Sequence, residues 1–290
     1  MATTREPAWY DTQYNNTARV PESANHVAQW KVRSAQARET LKSHLDVPYG
    51  EEPGDMLDIF PAANPNAPVF VFIHGGYWRA LDKSDHSFIA APFVKAGACV
   101  VVPNYDLCPG APDRVVTVPQ IVLQMVRALS WVWRNIAQYG GNPARITVAG
   151  HSAGGHLATM MLSCNWQSHD KELPSDLVRN ALSISGLYEL ESIMRTPFLQ
   201  SVLQLNPAQV RKVSPAWHVR PRSGRLTAVV GGAESSEFQR QNRLIQTSWG
   251  SGVVAVCEVL PELNHFNIVE ALAEPQTRLH DLALALLGFD

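Results

Sequence analysis

A five-residue turn with the sequence Gly-His-Ser-Ala-Gly, residues 150–154, constrains the fold of this chain more than any other feature. It follows the apolar run 145–149 and precedes the small-residue stretch 155–161, which predicts a strand, a sharp turn and a helix. A serine in such a turn stands clear of the backbone, and glycine two residues to either side avoids a clash between strand and helix. The context predicts that Ser152 is a nucleophile. The alternative is a turn that only caps the following helix.

Strand and helix patterns alternate through most of the chain. The continuous apolar run 69–73 predicts a strand buried on both faces, and further strands are expected at 98–102, 146–149, 181–184, 226–230 and 253–259. Helices are expected at 84–96, 118–139, 154–164, 237–249 and 267–287. This alternation predicts an α/β fold with a mostly parallel sheet, helices on both faces and an active site at the carboxyl ends of the strands.

Two segments lie outside this alternation, within what we expect to be one domain over residues 1–290. The N-terminal arm, residues 1–45, contains a helical pattern from about 22 to 45 and leads into an antiparallel hairpin, 46–49 and 56–60. The excursion, residues 187–224, is too long and apolar for a simple loop and predicts one or two short helices. Together they are expected to form a small cap over the site, although their apolar residues would equally suit a homodimer contact.

Composition excludes several classes of partner. Of 290 residues, 24 are basic and 26 acidic, so the net charge of −2 favours neither nucleic acid nor an anionic membrane. The chain begins without a secretory signal and contains no apolar run long enough for a membrane span, which predicts a soluble, cytoplasmic protein. The cysteines have no paired or metal-like spacing, and Cys108 alone is expected to be exposed.

A nucleophilic serine needs a base, and the base needs an anion that fixes its tautomer. His265 follows the last predicted strand in a loop and is the candidate base. The candidate acid is Glu234, which lies just beyond strand 226–230. Glu237 is the alternative, although an acid in a first helical turn is already explained by the helix dipole.

The negative oxygen of an acyl-transfer intermediate needs preorganised donors. The amide of Ala153 is one candidate, and Gly75 and Gly76, after strand 69–73, are the others. We expect His74 to shape that loop through hydrogen bonds. Metal-dependent hydrolysis through His151 and the histidine at 156 is disfavoured, because residues five apart lie on poorly matched helix faces and no nearby carboxylate completes a set.

These motifs, His74-Gly75-Gly76, Gly-x-Ser152-x-Gly and the order serine, acid, histidine, resemble the α/β-hydrolase superfamily and its hormone-sensitive-lipase-like esterases. More narrowly, the chain is similar to the kynurenine formamidase (arylformamidase) branch. The supporting residues are Tyr77-Trp78 after His-Gly-Gly, the run Gly-His-Ser-Ala-Gly-Gly-His, the run 237–241, and Tyr-Asp-x-x-Tyr-Asn at 10–15. That branch usually carries aspartate where this chain has Glu234.

The resemblance implies hydrolysis of a small ester or an aryl N-formyl amide through an acyl-enzyme, without a cofactor or a metal. In this scheme Ser152 attacks, His265 transfers the proton and Glu234 orients His265. The substrate pocket is expected to be formed by Tyr77, Trp78 and His151. The alternative is a catalytically inactive binding protein on the same fold.

Overall fold

A computed structural model describes residues 5–289. Within this range the chain forms ten strands, namely β1 (His44–Pro48), β2 (Met56–Phe60), β3 (Ala67–Ile73), β4 (Cys99–Pro103), β5 (Gly110–Ala111), β6 (Arg114–Val115), β7 (Gly141–His151), β8 (Asn180–Ile184), β9 (Arg225–Gly231) and β10 (Val256–Leu260). Eight of them form one sheet in the order β1-β2-β4-β3-β7-β8-β9-β10, while β5 and β6 pair separately.

The helices of the described range are α1 (Pro7–Tyr14), α2 (Asn16–Arg19), α3 (Ser23–Thr40), α4 (Ala90–Ala96), α5 (Val118–Asn135), α6 (Ala153–Leu162), α7 (Trp166–His169), α8 (Glu191–Met194), α9 (Pro197–Leu203), α10 (Pro207–Lys212), α11 (Ser236–Trp249), α12 (Asn267–Leu272) and α13 (Arg278–Leu287). Short 3-10 turns occur at Lys83–Asp85, Ser87–Ile89, Ile136–Tyr139 and Pro215–Trp217. None of the helices in this part of the chain is long and apolar enough to cross a bilayer.

The sheet is mostly parallel. Strands β3, β4, β7, β8, β9 and β10 pair in parallel with their neighbours, whereas β1 and β2 form an antiparallel hairpin and β2 also runs antiparallel to β4. Parallel neighbours require crossovers, and the helices between the strands supply them. The predicted α/β sheet and its edge hairpin are therefore confirmed.

Helices cover both faces of the sheet because its central strands are apolar on both faces. In β3, Val69, Val71 and Ile73 belong to one apolar cluster, and the alternating Phe70 and Phe72 belong to the other. Helices α5, α6 and α11 contribute to the first cluster, whereas α3, α4, α12 and α13 contribute to the second. Successive side chains of a strand point to opposite faces, so a continuous apolar run serves two cores.

Several predicted helices have different bounds. The last helix, expected to be continuous over 267–287, is interrupted between α12 and α13 around Pro275, whose ring cannot continue a helix. The helix expected over 84–96 begins as two 3-10 turns and is α-helical only in α4. The excursion contains α8, α9, α10 and one 3-10 turn rather than one or two helices.

The exposure predicted for Cys108 is wrong. Its side chain is buried in the core and the burial raises the pKa of the thiol to about 12. Its backbone N–H donates to the carbonyl of Trp78 at 2.8 Å, so the Pro/Gly loop around it packs inwards. A buried thiol of this kind behaves as a small hydrophobe.

Candidate active site

The turn between β7 and α6 holds Ser152 in an unusual backbone conformation, with φ 56° and ψ −117°. The chain reverses so tightly here that a Cβ on Gly150 would lie 2.2 Å from the carbonyl oxygen of Gly154. A Cβ on Gly154 would lie 2.0 Å from the carbonyl oxygen of Ile73 on β3. Both flanking positions therefore require glycine, and the strained serine is held at the carboxyl edge of the sheet.

His265 and Glu234 meet beside this turn. Nδ1 of His265 lies 2.6 Å from Oε2 of Glu234, and both side chains are buried. The other carboxylate oxygen, Oε1, accepts hydrogen bonds from the backbone N–H of Gly231 at 2.8 Å and from the hydroxyl of Ser185. One oxygen thus fixes the carboxylate to the sheet and leaves the other for the imidazole.

The second acidic candidate is engaged elsewhere. Glu237, in the first turn of α11, accepts a hydrogen bond from the hydroxyl of Tyr14 at 3.1 Å and pairs with Nε of Arg240 at 2.8 Å. Burial and the charge of Glu237 raise the pKa of Tyr14 above its usual range, so Tyr14 stays a neutral donor. Its hydroxyl also lies 2.8 Å from that of Ser192 in α8, which fastens the N-terminal arm to the excursion.

The loop after β3 is held in a strained conformation close to Ser152. Gly76, Tyr77 and Trp78 all have positive φ, of 97°, 50° and 56°. A Cβ on Gly76 would lie 2.1 Å from the carbonyl oxygen of Ala80, and one on Gly75 would lie 3.3 Å from the Cβ of Ser152. The two glycines therefore permit both the turn of this loop and its close approach to the nucleophile.

Hydrogen bonds from buried rings fix the peptide groups of this loop. The single hydroxyl proton of Tyr105 is shared between the carbonyl oxygens of His74 and Gly75, both 3.0 Å from the hydroxyl oxygen, and its ring stacks on His74 with centroids 4.2 Å apart. The ring nitrogens of His74 lie 2.9 Å from the Gly75 carbonyl oxygen and 3.1 Å from Oδ1 of Asn104. The prediction that His74 shapes the loop is confirmed.

His151 lies against the candidate base, with the two ring centroids 4.5 Å apart. Burial, together with the neighbouring imidazole of His265, lowers the pKa of His151 well below its ordinary value, so this ring is neutral at pH 7. Phe238 packs on His265 as well, at 4.6 Å. The imidazole of His265 is therefore confined by rings and oriented by one carboxylate.

A cavity of about 500 Å³ opens onto Ser152 and His265, and its wall is mostly apolar. The N-terminal arm forms a large part of this wall, and the excursion contributes Phe198. Both segments expected to cap the site thus line it. The lining residues include Asn16, Val27 and Trp30 of the arm, together with Tyr77, Leu81, His151 and Phe266.

Trp78 does not take the position that the sequence suggested. It is fully buried in the core cluster, where its ring meets that of His156 edge to face at 5.0 Å, and it is not part of the cavity wall. The positive φ of two consecutive residues turns Tyr77 and Trp78 to different sides of the loop, and only Tyr77 reaches the cavity. The assignment of Trp78 to the pocket is therefore corrected.

His151 and His156 are separated in the structure. His156 is buried with Nε2 2.7 Å from the carbonyl oxygen of Val213, whereas His151 lies in the cavity wall. Within residues 5–289 no group of three histidine, cysteine, aspartate or glutamate side chains is arranged to hold a metal ion.

Sequence reasoning did not identify Ser185 or Asn16. Ser185 directly follows the apolar strand β8, at the sheet edge where the site was expected, so its position after a strand was the signal available. Asn16 belongs to the Tyr-Asp-x-x-Tyr-Asn-Asn stretch, and the distance in sequence between this stretch and Ser152 gave no indication that they share a cavity.

Several known proteins are similar to this chain in sequence or structure. The family model BD-FAE matches residues 57–244. Kynurenine formamidase of Danio rerio is 31% identical over 271 residues, covering 91% of this chain and 88% of the relative. Esterase LipQ of Mycobacterium tuberculosis is 30% identical, covering 76% of this chain and 56% of its own length.

Among solved structures, a proposed thioesterase from Silicibacter sp. TM1040 superposes with a TM-score of 0.81 and 30% identity, covering 96% of this chain and 98% of the other. The resemblance to formamidases and esterases inferred from the sequence motifs is thereby confirmed. This chain belongs to the BD-FAE family and is an α/β-hydrolase of the esterase and formamidase class.

Proposed function

We propose that Ser152 is the nucleophile of this hydrolase, that His265 is its general base and that Glu234 orients His265. The observation that carries the proposal is the 2.6 Å contact between His265 and Glu234, together with the strained Ser152, which lines the same cavity as His265. Glu234 accepts from Nδ1, which leaves Nε2 unprotonated and able to receive the serine proton. Phe238 and the neutral ring of His151 keep the imidazole in place without adding charge.

The proposed reaction has two steps. Ser152 Oγ attacks the substrate carbonyl while its proton passes to His265, and the resulting oxyanion is bound by backbone N–H groups of Ala153, Gly75 and Gly76. Collapse of this intermediate transfers the proton from His265 to the leaving group and forms an acyl-enzyme. His265 then takes a proton from a water molecule that attacks the acyl carbonyl, and it returns this proton to Ser152 Oγ as the bond between the acyl carbon and Oγ breaks, which releases the acid and regenerates Ser152.

We propose an aryl N-formyl amide as the preferred substrate and a small carboxylic ester as the alternative. Formamide cleavage is supported by the kynurenine formamidase relative, which spans 91% of this chain, and by an apolar cavity with aromatic walls at Trp30, Tyr77 and Phe266. Ester cleavage is supported by the relative named as an esterase. A cytoplasmic location and a homodimer stay predictions.

The nucleophile is tested with a fluorophosphonate probe, which labels activated serines. We expect labelling of the parent enzyme and of Ser163→Ala, whose serine lies at the far end of α6 and bonds to the Met160 carbonyl. We expect none in Ser152→Ala. Labelling that persists in a folded Ser152→Ala protein contradicts the whole scheme.

The substrate class is tested by comparing kcat/KM for N-formylkynurenine with kcat/KM for a p-nitrophenyl ester of a short acid, on one enzyme preparation. This ratio reports which transition state the cavity binds better. A preference for the formamide supports an arylformamidase. Efficient ester cleavage without formamidase activity shows that the protein is a carboxylesterase.

A further inference from the structure

An asparagine in the N-terminal arm presents a buried polar atom that has no partner. Asn16 is 5% exposed and lies in the wall of the catalytic cavity. Its Oδ1 accepts no hydrogen bond from any group within the described residues 5–289. A buried acceptor left unpaired is costly, and native proteins rarely keep one without a reason.

The orientation of this amide follows from its neighbours. Tyr77 has one hydroxyl proton, which it donates to the carbonyl oxygen of Tyr14 at 2.8 Å. The same hydroxyl must therefore accept in its contact with Asn16, so the group 3.1 Å away is the donor Nδ2. Nδ2 is thereby engaged with Tyr77, and the side-chain carbonyl of Asn16 is the group left over.

A second unpartnered atom belongs to the same cavity. Nε2 of His151 is buried and has no hydrogen-bond partner in the described part of the chain, and His151 lines the cavity together with Asn16 and Ser152. Because both residues line the cavity, a bound ligand with a polar group of its own would supply the partner that each buried atom lacks. Asn16 Oδ1 can only accept, so the complementary group of the ligand is a donor.

We propose that the side-chain carbonyl of Asn16 accepts a hydrogen bond from an N–H group of the substrate and so selects aryl amides or aryl amines over plain esters. The inference rests on the proposed function, because it assumes that the substrate occupies the cavity beside Ser152. It assigns a specificity role to the Tyr-Asn-Asn stretch of the arm. The N–H is either the amide N–H next to the scissile carbonyl or an amino group on the aryl ring.

The test compares substrates that differ in a single N–H. Formanilide and phenyl formate differ at the scissile bond, whereas 3-aminophenyl acetate and phenyl acetate differ only in a ring amine. We measure kcat/KM for all four with the parent and with Asn16→Ala. The intrinsic reactivity of each substrate cancels when variant and parent are compared.

Loss of one such hydrogen bond predicts that Asn16→Ala lowers kcat/KM about tenfold more for the N–H substrate than for its matched ester. A selective loss with formanilide identifies the amide N–H, and a selective loss with the aminophenyl ester identifies the ring amine. Equal losses within both pairs overturn the proposal.

Tyr77→Phe tests the step that orients the amide, because it removes the hydroxyl that accepts from Asn16 Nδ2 and donates to the Tyr14 carbonyl oxygen. We expect Tyr77→Phe to reduce the preference for the N–H substrate in the same matched pair as Asn16→Ala, by less than that variant does. A selective loss in Tyr77→Phe that Asn16→Ala does not share would show that the effect comes from the Tyr77 hydroxyl, and would overturn the acceptor role.

A binding measurement separates this inference from the proposed catalytic mechanism. In a Ser152→Ala background, calorimetry gives the Kd of formanilide and 3-aminophenyl acetate with and without Asn16→Ala, whether or not the enzyme cleaves amides. We expect Kd to rise about tenfold for at least one N–H ligand and to stay unchanged for phenyl acetate. Unchanged Kd for both N–H ligands refutes the acceptor role, while failure of fluorophosphonate labelling refutes only the catalytic assignment of Ser152.

Discussion

Replacing Glu234 with glutamine tests the candidate triad with minimal change of shape. Oε1 of Glu234 receives two donors, the Gly231 N–H and the Ser185 hydroxyl, and Oε2 faces Nδ1 of His265 at 2.6 Å. In Glu234→Gln the amide oxygen takes the position with two donors, since an NH₂ group cannot accept from them. The NH₂ group then faces Nδ1 of His265.

This orientation reverses the tautomer of the base. An NH₂ group next to Nδ1 makes that nitrogen an acceptor, so the proton of the neutral ring moves to Nε2. A protonated Nε2 cannot receive the proton of Ser152. In serine hydrolases with the same arrangement, such an acid-to-amide change lowers kcat about 10⁴-fold. The equivalent rise in activation free energy is about 5.5 kcal/mol, at about 1.36 kcal/mol per factor of ten.

The assay is steady-state hydrolysis of a p-nitrophenyl ester at pH 7.5, with circular dichroism as the check on folding. Glu237→Gln is the matched control, because Glu237 contacts Tyr14 and Arg240 and we expect its kcat to stay within about threefold of the parent. A folded Glu234→Gln protein that retains more than a tenth of parental kcat would refute the assigned role of Glu234. A loss of kcat in Glu237→Gln as large as that expected for Glu234→Gln would assign the role of the orienting acid to Glu237 instead.

Two further predictions concern stability. Gly154→Ala places a Cβ 2.0 Å from the Ile73 carbonyl oxygen, so we expect little folded protein. In Gly252→Ala no atom lies within 4 Å of the new Cβ, so we expect the free energy of unfolding in urea titrations to change by less than about 1 kcal/mol. Similar stability of both variants would contradict this reasoning. Burial lowers the pKa of four buried histidines, His74, His86, His151 and His156, to about 3 in His86 and about 4 in His156. Their unfolded forms therefore bind protons first, and stability present above pH 6.5 is lost as the pH falls towards 4. We expect the free energy of unfolding to fall by up to about 5.5 kcal/mol per pH unit, and by about 1.4 kcal/mol per pH unit less in His86→Gln; an unchanged slope in that variant would contradict the assignment.

The sheet and the nucleophile turn could be predicted because their signals are local. A continuous apolar run such as 69–73 has one favourable environment, between two layers, and the Gly-x-Ser-x-Gly spacing reflects a clash between adjacent parts of the backbone. His265 was predicted as the base because it follows a strand that ends at the same sheet edge. Predicting the sheet, the Ser152 turn and the position of His265 requires the order of the strands along the chain, and does not require the directions of side chains.

Other features depend on side-chain direction, which sequence spacing does not give. Trp78 follows Tyr77 directly, yet the positive φ values in that loop turn it into the core. Glu234 and Glu237 are three residues apart, and the contact with His265 distinguishes Glu234 in the structure, whereas Glu237 contacts Tyr14. Asn16 was overlooked because its unpaired oxygen is defined by hydrogen bonds between distant segments.

The N-terminal arm forms part of the cavity wall, so the cavity is complete only after the arm has docked onto later segments of the chain. Tyr14 bonds to Ser192, and His26 pairs with Glu270 at 2.7 Å, so the arm docks onto segments that leave the ribosome long after it does. The loop that holds the candidate base His265 also follows the Ser152 turn by more than 100 residues. Contacts between such distant segments close late in folding. A ribosome-bound fragment that ends soon after the Ser152 turn therefore lacks both the contacts that hold the arm over the cavity and the candidate base, so under the proposed mechanism it cannot yet hydrolyse a substrate.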